Sequence, residues 1–253
     1  MNLLDGVQKH FRLASRSKAR EYIQNGFVRV DGTVHNRPHF ILLPGAKLEL
    51  LSHRERSQAQ SPYPILFEDD AILVTCKPAG MTSEKFVQQI RKHTSVILTH
   101  RLDSKVSGVM IFAKSSSIEA ILETNWSRFE KIYHALVEGH PKQASGTVEG
   151  LLAENKALKS YITTDAALGK RAVTHYRTLE QSKYWTRCEI RIETGRKNQI
   201  RVHLASLGNP ILGDTKYGAD SRFHGRIALH AARFSCYHPR TQQWMTFEEK
   251  TPF

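Results

Sequence analysis

The 253-residue chain has only three cysteines, Cys76, Cys188 and Cys236, far apart and without a CxxC pair. An odd, scattered set argues against a disulfide framework and a structural zinc site, and it fits a reducing cytoplasm. No apolar run is long enough for a membrane span, and Met1-Asn2-Leu3-Leu4-Asp5-Gly6 lacks the basic-then-apolar pattern of a secretion signal. A Gly-rich loop ending in Gly-Lys-Ser/Thr is missing, as is Asp-Phe-Gly, which sets aside P-loop enzymes and kinases. The thirteen histidines form no HExxH or comparable ligand pair, so no metal is expected. A glycosidase needs two paired acids, and no spacing here reveals such a pair.

Negative charge is also scarce. Against 37 Lys and Arg stand 24 Asp and Glu, a formal net charge of +13. The excess is spread: residues 1–56 carry 10 basic and 5 acidic side chains (+5), and the remainder 27 and 19 (+8). Such a field collects polyanions, nucleic acid first and anionic membrane second.

Residues 1–52 read as a small separate module. Ser15 and Ser17 offer a helix cap, and Ala19, Tyr22, Ile23 and Phe27 follow at helical spacing. Asn25-Gly26 stops that helix, and Val28-Arg29-Val30 and Thr33-Val34-His35 flank Asp31-Gly32, a strong hairpin signal. A turn and strand over 42–50 complete the module. Arg16, Lys18 and Arg20 crowd the helix start, where the dipole is positive, so an anionic partner rather than helix stability accounts for them. Residues 53–62 lack apolar periodicity and read as a linker, leaving 63–253 as the main domain. There, strands are expected at 65–68, 71–76, 96–98, 109–112, 133–139, 161–164, 172–180, 184–193 and 227–237, with helices at 84–93 and 117–129. Strands outnumber helices without βαβ alternation, so the expected fold is α+β, a mainly antiparallel mixed sheet with packed helices.

Two stretches stand out. Thr99 to Gly108 joins two strands and carries one carboxylate, Asp103, with Arg101 before it and a small, flexible Ser107-Gly108 pair after it. A loop on rigid strands is where reactive groups are displayed, although a turn aspartate bonding its own backbone has the same local sequence. Thr194 to Ala205 leaves a strand through Gly195 and enters a helix. Ile200 and Leu204 share its buried face there, and Arg196, Arg201 and His203 point elsewhere.

With these residues quoted, the chain resembles the RluA-type RNA pseudouridine synthases. His100-Arg101-Leu102-Asp103 with Ser107-Gly108 is similar to their HRLDxxTSG block, and Lys131 to Gly139 to KxYxAxVxG. Gly195-Arg196, Gln199 to Leu204, Pro210 to Asp214 and Tyr217-Gly218 resemble GRTHQIRVHLA…PILGDxxYG; Leu229-His230-Ala231 and Tyr237-His238-Pro239 resemble the last block. The N-terminal helix and hairpin resemble the RNA-binding module that a small-subunit ribosomal protein shares with several RNA-modifying enzymes. Val106 and Lys197-Asn198 depart from the pattern, and the Asn198 change puts in doubt any role for that position in holding the site together.

The resemblance implies cofactor-free isomerisation of uridine in RNA, breaking the base–ribose bond and rejoining the sugar to carbon 5. Asp103 is then the essential carboxylate, attacking the sugar or assisting loss of its 2′ hydrogen. Arg201 is the fixed cation that keeps it ionised, and Tyr133 packs on the base and takes the carbon-5 proton. Arg101 fills the stack vacated by the flipped base. His100, Arg196, Arg16, Lys18 and Arg20 are the remaining expected RNA contacts. The expected partner is ribosomal RNA, large-subunit first, with transfer RNA as the alternative; the expected protein is a cytoplasmic monomer. A non-catalytic RNA-binding or ribosome-assembly factor is the rival reading, since it shares the charge and the N-terminal module.

Overall fold

The computed structural model describes residues 1–52, 55, 62–220 and 226–253. Most of the expected linker, 53–62, lies outside the described residues. The chain divides into two compact units, Met1–Asp69 and Asp70–Phe253.

The first unit begins with a helix the sequence reading passed over, α1 (Leu3–His10). Asn2 caps it by accepting from the Asp5 N–H at 2.9 Å, and Leu3, Leu4 and Val7 are buried. Helix α2 (Arg16–Gln24) starts where Ser15 accepts from the Lys18 N–H and ends at Asn25-Gly26, with Gly26 at φ 73°. Strands β1 (Val28–Val30) and β2 (Thr33–Val34) form the expected hairpin. Asp31 and Gly32 both take positive φ, which is what a two-residue turn matching strand twist demands. Strand β3 (Leu48–Leu50) pairs with the other side of β1, and α1, α2 and the sheet close one apolar core. Strand β4 (Ile65–Glu68) ends the unit.

The second unit is built on one large mixed sheet, so the α+β expectation holds. Its strands are β5 (Ile72–Lys77), β6 (Ile97–Leu98), β7 (Ser107–Ala113), β8 (Glu130–Glu138), β9 (Ser145–Glu154), β10 (Ser160–Thr163), β11 (Lys170–Gln181), β12 (Trp185–Ile192), β13 (Leu229–Tyr237) and β14 (Trp244–Glu248). The path runs β10-β9-β11-β12-β8-β13-β7-β5, with β6 on β7 and β14 on β13. Among the described residues its α-helices are α3 (Ser83–Ile90), α4 (Ser116–Thr124) and α5 (Gln199–Ser206). Strands β9 and β14 were not expected from sequence.

Along this path, among the described residues, the pairing of β13 with β7 is parallel and its neighbours are antiparallel. Strand β13 meets β7 in parallel over just His230–Ser107 and Ala231–Gly108. A Cβ on Gly108, whose φ is 128°, would collide with the Ala231 backbone. The Ser107-Gly108 pair is therefore not a flexible hinge, as its composition suggested. Both residues are buried in β7, and glycine is there because two backbones touch. Ser107 Oγ and His230 Nδ1 join the same seam at 2.8 Å.

Candidate active site

The loop bearing Asp103 emerges at that parallel seam. Strand β6 pairs with β7 for only two residues, then side chains take over the ladder. Thr99 Oγ1 donates to the Ile111 carbonyl at 2.6 Å, and the Ile111 N–H donates to His100 Nε2 at 3.1 Å. The backbone of 101–106 is thereby released from the sheet and held elsewhere. Ser83 Oγ donates to the Leu102 carbonyl and accepts from the Leu102 N–H, both at 3.0 Å. The Gly80 N–H reaches the Ser104 carbonyl at 2.7 Å, and the Val106 N–H the Asp103 carbonyl at 3.0 Å. Lys77 fastens the supporting turn by donating to the Pro78 and Met81 carbonyls at 2.9 and 2.7 Å. Burial lowers its pKa to about 8, the Asp103 charge opposing this and Arg226 reinforcing it.

Asp103 meets Arg201 at 3.0 Å, a contact spanning 98 residues of sequence. The guanidinium is nearly used up. Its Nε and Nη2 grip Asp214 bidentately at 2.6 and 2.8 Å, and its Nη1 also donates to Asn198 Oδ1 at 2.6 Å. Arg201 and Asp214 side chains are 8% and 1% exposed, whereas Asp103 is 28% exposed, so Asp103 is the most open of the three. Burial is the largest single influence on Arg201 and disfavours its charge. The hydrogen bonds and charges of Asp214 and Asp103 outweigh it and raise the pKa further. The cation is permanent, and its orientation is fixed from the side away from Asp103. Tyr217 adds its ring 4.9 Å from the guanidinium carbon.

Two expectations for α5 need correction. Arg201 and His203 do not point away from the buried face, because Gln199 through Leu204 are all buried. Asp214 and Asp103 neutralise Arg201. His203 is held neutral, its pKa pushed down to about 4 by burial, with Nδ1 at 2.9 Å from Thr174 Oγ1. Asn198, whose role was in doubt, takes the left-handed conformation that asparagine tolerates (φ 55°) and ties Arg201 to the buried Ser160.

Tyr133 stands on β8, paired with Ile190 of β12 and Ala231 of β13. It lines a small cavity with Asp103, Arg201 and the apolar side chains of Val106, Ile192 and Leu229. Burial first, and the Asp103 charge second, raise its pKa, so the resting group is a phenol. A neighbouring cavity of about 400 Å³ contains Tyr133, Arg101, Trp126 and Phe234. A third, about 780 Å³, extends from Asp103 and Arg201 past Arg196 and Lys216 to Leu158.

The other expected contacts fall into two classes. Arg101 is exposed and pairs with Glu84 at 2.9 Å; Arg196 is exposed with its Nε on the Arg171 carbonyl at 3.0 Å. His100 lines the cavity of about 400 Å³ beside Arg101 and also packs inward. Its ring stacks on Phe234 at 5.8 Å, and burial followed by the Lys131 charge lowers its pKa to about 3. In the first unit, Arg16 pairs with Asp5 at 2.8 Å and Lys18 with Glu21 at 3.0 Å, so local carboxylates do answer two of the three cations at the start of α2. Asp214, Asn198, Lys77 and Ser83 were not singled out as site residues from sequence, although Asp214 sits in a quoted motif.

The chain matches the RNA pseudouridylate synthase family over residues 71–206 and the S4 domain over residues 9–48. It is 32% identical to a ribosomal large subunit pseudouridine synthase D of Vibrio parahaemolyticus, over 94% of this chain and 83% of the relative. The same-named protein of Haemophilus influenzae is 30% identical over 94% and 84%. Among solved structures, human RNA pseudouridylate synthase domain containing 1 superposes with TM-score 0.67 at 22% identity, covering 76% of this chain and 85% of that one. The second human structure, domain containing 4, gives 0.62 at 23% identity, over 74% and 88%. The loop that Gly108 and Ser83 hold against Arg201 thus lies inside the matched region, and the chain belongs to the RNA pseudouridylate synthase family, with an S4 domain ahead of its catalytic unit.

Proposed function

We propose that this pseudouridine synthase acts on large-subunit ribosomal RNA in the cytoplasm, as a monomer, with Asp103, Arg201 and Tyr133 as its working residues. The observation that carries the assignment is the shared guanidinium of Arg201, which holds Asp103 at the mouth of a cavity walled by Tyr133. An ionised carboxylate in a partly dry site needs such a fixed cation. The substrate class is supported by the names of the relatives and by the S4 domain; the monomer, by a site assembled within one chain.

In the reaction, the target uridine is flipped from its stack, which costs about a few kcal/mol. Asp103 attacks C1′, or removes the 2′ proton, as the C1′–N1 bond breaks and the electron pair leaves on N1. The freed uracil turns within the cavity and C5 bonds to C1′; in the first route the C1′–Asp103 ester bond breaks and frees the carboxylate, and in the second C2′ regains its proton. The C5 proton is then lost and N1 gains one, so the product is an isomer. Tyr133 starts as a phenol and accepts the C5 proton only by passing its own on. Arg101 fills the vacated stack, while Arg196, Arg16, Lys18 and Arg20 meet phosphates; His100 supports the loop carrying Arg101.

Unmodified total RNA should be incubated with wild-type protein and with Asp103→Asn, and new pseudouridines mapped at single-nucleotide resolution. Sites in 23S-type RNA with wild type alone are expected. Sites only in transfer RNA would overturn the substrate, equal activity of the variant would overturn Asp103, and no sites with intact binding would favour the non-catalytic factor.

A further inference from the structure

The turn between β9 and β10 presents one large apolar side chain, Leu158, 62% exposed, at the rim of the groove containing Asp103 and Arg201. Its backbone is in the left-handed region (φ 55°), which leucine seldom occupies. The turn is firmly built. Asn155 Oδ1 accepts from the N–H groups of Ala157 and Lys159 at 3.0 and 2.9 Å, and the Asn155 carbonyl accepts from the Leu158 N–H at 2.9 Å.

It is also fastened to the catalytic apparatus. Lys216 Nζ donates to the Leu158 carbonyl at 3.1 Å, and the Ser160 N–H donates to Tyr217 Oη at 3.2 Å. Ser160 Oγ accepts from Asn198, the residue that also holds Arg201. Lys156 and Lys159 flank the leucine and are exposed. A single exposed leucine is ordinary on a protein surface. One held rigid beside a reactive groove, between two cations suited to phosphates, has a function in nucleic-acid chemistry: apolar side chains of this size enter base steps and unstack them.

We propose that Leu158 is an apolar wedge that packs into the base step beside the target uridine and holds the RNA open while the uridine occupies the cavity at Asp103. The inference rests on the reading of this site as a uridine isomerase. It adds a residue that acts on the neighbouring bases rather than on the reacting ring.

The test compares wild type, Leu158→Ala and Leu158→Met in full-length protein. Single-turnover conversion is followed at a mapped uridine in folded RNA and in a 12-nucleotide single-stranded fragment around it. Losing one base-stacking contact predicts that Leu158→Ala is about ten-fold or more slower on folded RNA and within about two-fold on the fragment. Leu158→Met should stay near wild type. In an Asp103→Asn background, 2-aminopurine next to the target should brighten on binding, and adding Leu158→Ala should remove that signal. Equal slowing on both substrates, or none on folded RNA, would overturn the wedge. Absence of product with wild type on both substrates would instead bring down the reading on which it rests.

Discussion

The two units use the same charged residues in opposite ways. In the first, the two pairs at the start of α2 lie in water: Arg16 with Asp5, at 62% and 42% side-chain exposure, and Lys18 with Glu21. Exposed pairs contribute about 0–1 kcal/mol and are screened by salt, so a phosphate can replace the carboxylate at little cost. In the second unit Arg201 is withdrawn from water, gripped twice by Asp214 and once by Asn198, and presents one remaining contact to Asp103. The exposed pairs are exchangeable and serve affinity. The buried pair is fixed and serves geometry.

That contrast is most sharply tested at Asp103. Asp103→Asn should lower the single-turnover rate by about three orders of magnitude or more, with RNA affinity changed only a few-fold. Next is Asp214→Asn, which leaves a buried guanidinium short of an anion and should destabilise by about 3–5 kcal/mol in urea unfolding. Replacing both partners with Arg201→Met and Asp214→Leu should recover much of the stability and none of the activity. If activity returned as well, the buried pair would be a packing device only.

Acid should act on the second unit through its buried histidines. Burial lowers the pKa of both His203 and His230 to about 4, with the Arg226 charge adding to the effect at His230. The unfolded chain, with histidine near 6.5, binds protons that the folded chain refuses, so stability falls as pH drops from about 6.5 to 4 and is insensitive to these groups above that window. The loss should reach a few kcal/mol, and His203→Gln should flatten that part of the stability–pH curve. A curve that stays flat until the carboxylates titrate would contradict the burial argument. The smallest effect is expected in the first unit. Arg16→Ala with Lys18→Ala should change stability by less than about 1 kcal/mol, yet reduce the salt slope of RNA binding by about two.

The sequence exposed the parts of this molecule whose signals are local. The Asp31-Gly32 turn, the Ser15 cap and the alternating strands β8 and β12 are written within a few residues. Motif resemblance brought out Asp103, Arg201 and Tyr133, which the fold gathers around one cavity. Strand β9 escaped because Gly146 and Gly150 are poor strand formers; its conformation comes from β10 and β11 on either side. Helix α1 escaped because Asp5 and Gly6 interrupt a short apolar pattern, although Gly6 lies close against Leu42. No local spacing tells that Asp214 is buried against Arg201, nor that Asn198 turns left-handed to reach it. Those facts belong to tertiary packing.

The parallel seam of β7 and β13 has a consequence for biosynthesis. Residues 107–108 and 230–231 form it, and the Asp103 loop is anchored one residue upstream of the first pair. While the chain is being made, the loop has no seam to fold against until residues 229–237 have emerged and paired. Reactivity is therefore withheld from the nascent polypeptide, although the S4 domain, encoded first, can form long before.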